Sequence, residues 1–518
     1  MNNIRFIPLQ HLGWGFLLAW VFCVFYTGAT SDALGVQDMH SRAGMLPRLL
    51  ELTIPVGSAI ATIAALMFAE RAVGTVAAKR AVVVLSPIAC ALATPLLVIP
   101  YGHGMLDGAL FAAGALASGI GSGVMWVFWG EFYARLSQSD VEPTALASSA
   151  LAAGILLAVS AMSGWVALLV TACLPLASEA LFSVAWKETS ALSVSRDHAS
   201  AGDLRVLEAA RECNESRPLA VVTTVGKSGW GILFACSFAC IAGSLAAETP
   251  STEMLQPSIL ASIALLIALG FSSTRGPRRV SIAFLYRWIC PVLVVGFCTG
   301  SVLGSYAGSA AAFGASLAVR FALCLITQMY FARFSARGLA TPTQSYGLGW
   351  ILVHTGDLIG VLLAEAVRPA LGTGAITADQ AFAVCAMLLV VASMLVIGAD
   401  RSFASLDSVA RRDGELAPAT IDAAHESSPS PLEPETPRSA SDLQPENRDL
   451  DRAIEELADR FDLTPRERDI FALLMRGRSV PYIRDELVIS LNTVSTHVKH
   501  IYTKAAVHSR QELLDLLP

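Results

Sequence analysis

Apolar positions along this chain fall into long blocks, not into the alternation of a half-buried strand. Twelve stretches of about 20 residues are nearly free of charge, the length a helix needs to cross a hydrocarbon core of ~30 Å at ~1.5 Å per residue. They centre near Phe22, Ile60, Ala89, Ala117, Leu151, Leu174, Ser237, Leu265, Val294, Leu323, Leu358 and Leu389, and all precede Asp400. The first follows a single basic residue, Arg5, and runs through Tyr26 without a small-residue cleavage site, so it reads as a retained helix and not as a removable leader.

The pattern changes after Asp400. Between Ser402 and Asp449 the chain carries Ser427, Ser428, Pro429, Ser430 and Pro431, then Pro434 and Pro437, among scattered acids and few large apolar residues. Such a stretch cannot bury a core and is predicted to be disordered. As a flexible coil of 48 residues it spans about 40 Å on average. From Leu450 to Phe461 helical spacing returns, with Ile454, Leu457, Ala458 and Phe461 on one face.

Four short helices follow, each marked by its punctuation. Thr464, Pro465, Arg466 and Glu467 form a capping box with Pro at the first helical position, and Gly477 ends that helix. Ser479 caps a second helix through Leu487, and Ser490 a third running to about Ala505. Ser509 with Glu512 opens the last. The predicted fold is therefore all-α: a polytopic twelve-helix membrane bundle in residues 1–400, a linker in 401–449, and a small four-helix domain in 450–518.

Composition agrees with this division. At 518 residues, with 54% hydrophobic and 15% charged residues, the chain is too apolar for a soluble protein of its size. The net charge of −6 is uneven: Asp400–Asp462 holds 16 acidic and 7 basic residues, and the segment from Leu463 onward 8 basic and 6 acidic. Nine of the ten cysteines fall in apolar windows and Cys213 in a loop, so neither a disulfide framework nor a metal site is indicated. Cys236 and Cys240 share a helix face and read as packing.

Short loops rich in Lys and Arg stay in the cytoplasm. Here Arg71, Lys79 and Arg80, then Arg135, then Lys187 through Lys227, then Arg275, Arg278 and Arg279, then Arg333 and Arg337 fall in the even-numbered connections. The odd-numbered ones offer Arg42, Arg48 and Arg368, and Arg401, Arg411 and Arg412 follow the last window. Both termini are thus expected in the cytoplasm of a bacterial cell, with the bundle in the inner membrane.

Along the third terminal helix Val494, Val498, Ile501 and Ala505 step by 4, 3 and 4, the face turned to a core. The opposite face carries Asn492, Ser495, Thr496, Lys499 and Thr503 and no acid. A helix entering the major groove needs such hydrogen-bonding side chains for base edges and flanking groups for phosphates. Leu463-Thr464-Pro465-Arg466-Glu467, Gly477, Ile483, Leu487, Ser490, Thr493-Val494, His497, Ile501, Lys504 and Arg510 closely resemble the LuxR/NarL helix-turn-helix over about 55 residues.

That resemblance implies double-stranded promoter DNA as a partner, with RNA polymerase a candidate second one. It makes Ser495, Thr496 and Lys499 base readers and Thr493, His497 and Lys504 backbone contacts; Asn492 is a further base-reading candidate and Arg484 a further phosphate contact. It also implies a homodimer on DNA through the final helix, exposing Leu513, Leu514 and Leu517. The chain departs from the family at Arg484, where Ala is usual, and at Ala505-Ala506, where Leu-Gly is usual.

Six windows, a stretch from Trp186 to Gly229, and six more windows resemble the layout of the major facilitator superfamily, halves falling at about 1–186 and 229–400. The family's Gly-rich loop between helices 2 and 3 is here Glu70, Arg71, Ala72, Val73, Gly74, Lys79 and Arg80, with the first Gly missing and Asp replaced by Glu. That departure points away from active transport and toward a sensor.

Ionisable residues inside membrane windows are costly and so are candidates for function. Glu131, Glu179, Arg320, His354, Asp357 and Glu365 stand out. Glu131, Arg320, His354 and Asp357, with Trp126 and Trp350 as aromatic walls, are candidate contacts for an unknown small-molecule effector, and Arg320 with Asp357 is a candidate pair across the halves. No P-loop, paired catalytic carboxylates or metal-ligand spacing is evident, so no enzyme, cofactor or metal is expected. The expected function is a membrane-bound one-component transcription regulator; the alternative is a transporter with a fused regulatory domain.

Overall fold

A computed structural model describes residues 7–34, 45–98, 105–197, 218–246, 254–264, 282–303, 305–336, 340–392, 445–475, 491–505, 507 and 512–513. Helices and the turns that join them account for the described residues, with no strand among them. Two compact units emerge, Met1–Ala419 and Thr420–Pro518.

The first unit contains α1 (Gly13–Val21), α2 (Ala29–Ala33), α3 (Met45–Val73), α4 (Arg80–Val98), α5 (Met105–Tyr133), α6 (Gln138–Ser160) and α7 (Trp165–Asp197). After these come α8 (Pro218–Ala246), α9 (Met254–Ala264), α10 (Ile282–Leu303), α11 (Ser305–Ala336), α12 (Pro342–Gly372) and α13 (Ala378–Ala392). Among the described residues nine helical spans are long and apolar enough to cross a membrane, and three shorter apolar helices, Met254–Ala264, Ile289–Leu303 and Ala378–Ala392, bring the number to that of the twelve predicted windows. Helix is the expected answer in hydrocarbon, because it satisfies every backbone N–H and C=O within the segment.

Helix α1 does not end cleanly. It continues as a π turn over Phe22–Tyr26, and the Thr27 hydroxyl and amide both donate to the Phe22 carbonyl, at 2.8 and 3.0 Å. Gly28 then takes a left-handed φ of 65°, a conformation that only Gly adopts without strain, and α2 follows.

Close helix packing explains the Gly-rich stretch of α5. A Cβ on Gly121 would sit 2.6 Å from the Ser86 carbonyl of α4, and one on Gly123 3.1 Å from the Ala59 carbonyl of α3. Gly119 faces α3 in the same way, against Ser58 and the Pro55 carbonyl. Small residues let helix backbones approach where no hydrophobic drive from water exists.

In the second unit, α14 (Pro445–Arg460), α15 (Pro465–Met475) and α16 (Leu491–Ala505) are described. Ile454 and Ala458 of α14, Ile470, Phe471, Leu474 and Met475 of α15, and Ile501 and Ala505 of α16 are buried together, with Val498 packed against them. Helix α14 begins at Pro445, inside the stretch expected as linker, so the linker is shorter than 401–449 at its C-terminal end. The rest of that linker, the helix expected at Ser479–Leu487 and most of the last helix lie outside the described residues.

Leu513 overturns an expectation. It is fully buried in the core of this unit, so it is not exposed to a second copy. The hydrophobic gain of closing a small core claims it first. Leu514 and Leu517 lie outside the described residues.

Candidate functional site

The second unit is assembled around one carboxylate. Thr464 donates from its amide and its hydroxyl to Glu467 Oε2, each at 2.9 Å, and Glu467 N donates back to Thr464 Oγ1 at 3.4 Å, the capping box that the sequence predicts. Lys504 Nζ, from the far end of α16, donates to the same Oε2 at 2.8 Å and to the Asp462 carbonyl at 2.8 Å. Asp462 itself turns the chain between α14 and α15 with a φ of 48°. One acid thus caps α15 and locks α16 against it.

Burial opposes ionisation of Glu467, yet hydrogen bonds from Lys504 and Thr464 hold its carboxyl down at about 2. Lys504 thus bonds within the domain, to Glu467 and to the Asp462 carbonyl. His497 is half-buried, and its Nδ1 is shielded from solvent without a partner. Glu467, His497 and His500 bring their donor atoms within 4.8 Å of one another, a grouping that sequence spacing does not reveal. The ammonium of Lys504 already neutralises that carboxylate.

Asn492, Thr493, Ser495, Thr496 and Lys499 all belong to α16, which runs in one piece from Leu491 to Ala505. The side chains of these five, and Arg484 entirely, lie outside the described residues.

Inside the membrane bundle, Arg320 of α11 and Asp357 of α12 form a buried ion pair, Nη1 to Oδ1 2.8 Å. Both belong to the second half, so the pair does not cross the halves as expected. Tyr26 is what crosses: its hydroxyl donates to Asp357 Oδ2 at 2.5 Å, and Arg320 Cζ lies 4.0 Å from the centre of its ring. The sequence gives no signal for Tyr26, which stands at the end of an ordinary apolar window.

Glu131 is not free for a ligand. Its Oε1 accepts from Val76 N at 3.0 Å and Thr343 Oγ1 at 2.7 Å, and its Oε2 from Ala77 N at 2.7 Å. It ties α5 and the short Val76–Ala78 turn to the first turn of α12. Glu70, near the end of α3 in the segment that departs from the transporter pattern, makes a parallel tie by accepting from Thr341 Oγ1 at 2.7 Å, while Thr341 caps α12 through Gln344 N. Glu365 is likewise engaged by Arg368, at 3.0 Å, and Glu179 accepts from Ser183.

Among the described residues five tryptophans are fully buried in the bundle, and they divide sharply. Trp20 donates to Thr94 Oγ1 at 2.9 Å and Trp129 to Ser178 Oγ at 3.0 Å. The indole N–H groups of Trp14, Trp126 and Trp350 have no acceptor, nor has His354 Nε2 a partner. These four are neighbours: Trp126 stacks on Trp350 at 3.8 Å, Trp14 lies 6.5 Å from each, and His354 6.1 Å from both stacked rings. A buried donor without a partner costs about 1–3 kcal/mol, so several side by side set this cluster apart from the partnered indoles of Trp20 and Trp129. Asp357 lies one turn along α12 from His354, which puts the ion pair on the same helix as this cluster.

Comparison with known proteins concerns mainly the terminal segment. Residues 462–517 match the family described as bacterial regulatory proteins, luxR family. Proteins named as HTH-type transcriptional regulators, from Mycobacterium bovis and two strains of Mycobacterium tuberculosis, are 43% identical over 53 residues, 10% of this chain. The match spans about 6% of the length of those relatives. Among solved structures, the human organic anion transporter MFSD10 is similar over 75% of this chain and all of its own, at 15% identity and a TM-score of 0.45. The capping box, the helix that follows it and the family match coincide, and residues 462–517 are a helix-turn-helix domain of the luxR family carried on a polytopic bundle of apolar helices.

Proposed function

We propose that this protein is a one-component transcription regulator of the bacterial inner membrane, which senses a small molecule within its helix bundle and acts on promoter DNA through its luxR-type domain. The observation that carries the sensing half is the buried group of unpartnered polar atoms on Trp14, Trp126, Trp350 and His354. The names of the mycobacterial relatives support the regulatory half. Basic connections support an orientation with both termini in the cytoplasm, where DNA is within reach of the tether. No catalytic activity is assigned to it.

In this scheme the effector fills the aromatic cluster and changes how the halves meet at Tyr26 and Asp357. The terminal domain binds DNA as a homodimer, since +2 of charge per copy supplies little non-specific attraction. Leu514 and Leu517 remain its candidate contacts between copies, and RNA polymerase a candidate partner on the promoter.

Genome-wide DNA occupancy of the intact protein, measured with and without a library of small molecules, tests the scheme. The expected result is occupancy at a few promoters that one compound class changes and that Lys499→Ala abolishes. Unchanged occupancy in Lys499→Ala overturns it. The transporter alternative is favoured by the two-half layout, and uptake of the same compound into proteoliposomes would establish it.

A further inference from the structure

The end of the bundle away from the Glu131 junction holds a pocket that the proposed sensing scheme does not use. Helix α6 separates the two ends: it starts at Gln138 beside the junction and runs 23 residues to Ser160, about 34 Å. There α2, the turn between α6 and α7, and the start of α9 border a half-open cleft of about 370 Å³, lined by Asp32, Ser160, Met162, Ser163, Leu255 and Gln256 together with three alanines. The Gly164 amide donates to the Ala33 carbonyl at 2.7 Å, which fixes α2 to the turn.

Asp32 is part-buried, and its Oδ2 is shielded from solvent and accepts no hydrogen bond. Burial pushes its carboxyl up to about 6. It is the single ionisable group among the described lining residues. Around it stand two hydroxyls, a carboxamide and the apolar side chains of Met162 and Leu255.

A part-buried carboxylate with one oxygen shielded from solvent and unpartnered is complemented by a cation that brings its own hydrogen-bond donors. A bare divalent metal fits poorly, because it demands six or so oxygen ligands and several charges. The volume is that of a small-molecule site, far above the ~30 Å³ share of one water. We propose that this pocket binds a small organic monocation, with its ammonium N–H groups on the Asp32 carboxylate and its hydrocarbon body against Met162 and Leu255.

The test uses the purified full-length protein in detergent, with benzylammonium as probe and benzyl alcohol as its neutral isostere, by titration calorimetry at pH 8. Benzylammonium is expected to bind at least about tenfold more tightly than the alcohol, and Asp32→Asn to remove that preference. Ala161→Phe, which fills the pocket without touching the carboxylate, is expected to abolish binding. At pH 5 the wild-type preference should fade as Asp32 takes up a proton. Thermal melts of both variants confirm folding, and Asp32→Asn is expected to melt no lower than wild type because it removes an unpaired buried charge. Absence of benzylammonium binding, equal binding of the alcohol, or undiminished preference in Asp32→Asn overturns the proposal.

Discussion

Tyr26 and Asp357, 331 positions apart, meet through a 2.5 Å hydrogen bond that joins the first helix of the bundle to α12. Asp357 spends its other oxygen on Arg320, so one buried carboxylate holds a charge within its own half and a phenol from the other. Breaking a buried pair by removing one partner strands the other charge, at about 3–5 kcal/mol. Asp357→Ala should therefore lower thermal stability in detergent far more than Tyr26→Phe, which forfeits one hydrogen bond to a charged group, about 1.5–3 kcal/mol. The double change Arg320→Met with Asp357→Leu should recover most of the loss. A melting curve for Asp357→Ala that overlays wild type would show that the pair holds nothing together.

Glu131 makes a second prediction at the other junction. All its hydrogen bonds are donated to it, two by backbone amides and one by Thr343. Glu131→Gln keeps the shape but turns an amide NH2 toward a donor N–H, leaving both unsatisfied. Stability should fall by about 1–3 kcal/mol. Thr343→Val added to it should cost less than Thr343→Val alone, because the two act on one contact; strict additivity in that cycle would refute the tie.

The parts of this architecture that were legible in the sequence are the local ones. Membrane helices announce themselves through the apolarity of each residue in turn, with no need to know their neighbours, and the Thr464–Glu467 box closes within four residues. Contacts between distant segments were not legible. Arg320 and Asp357 are conspicuous as charges in apolar windows, yet nothing in the sequence says that their helices are neighbours within one half. Glu131 looked like a ligand contact because its three donors come from the Val76–Ala78 turn and α12. Leu513 and Leu514 are adjacent in the sequence and identical in type, so composition alone cannot say that Leu513 enters the core. The absence of acceptors around Trp14, Trp126 and Trp350, against their presence at Trp20 and Trp129, is a fact of three-dimensional packing.

Lys504 and Lys499 sit on one helix and should behave differently on DNA. Lys504 is bonded to Glu467 and Asp462, so Lys504→Met should weaken promoter binding by loosening α16 on α15 while leaving the salt dependence of affinity unchanged. Lys499→Met should relax base preference at one position, and where the ammonium also neutralises a phosphate the slope of log K against log salt falls by about one. Titrations of a promoter fragment at several salt concentrations separate the two. Glu467 adds a pH test. Its carboxyl is held at about 2 in the fold, below its usual 4.5, so the folded domain binds fewer protons than the unfolded one between those values. The stabilisation is fully present above about 4.5 and is lost as pH falls through that range toward 2; Glu467→Gln should remove this pH dependence from hydrogen-exchange protection of α15.

Trp350 offers the cleanest access to the proposed sensing site. It stacks on Trp126 with ring centres 3.8 Å apart and an interplanar angle of 26°, while its indole N–H finds no acceptor. Trp350→Phe keeps an aromatic face for that stack and deletes an unsatisfied donor. The packing lost and the desolvation penalty relieved work in opposite directions, so stability should change by no more than about 1 kcal/mol. Trp20→Phe is the matched control, because there the N–H is already bonded to Thr94 and its loss should lower stability. For the compound identified by promoter occupancy, the order reverses. If it accepts a hydrogen bond from Trp350, Trp350→Phe should weaken its binding by about 3- to 10-fold, the worth of one such bond, and Trp20→Phe should leave it unchanged. Tryptophan fluorescence of the purified protein, titrated with that compound, reads both affinities. Equal affinities in the two variants would mean that the unpartnered indoles are filled by water and that the effector binds elsewhere in the bundle.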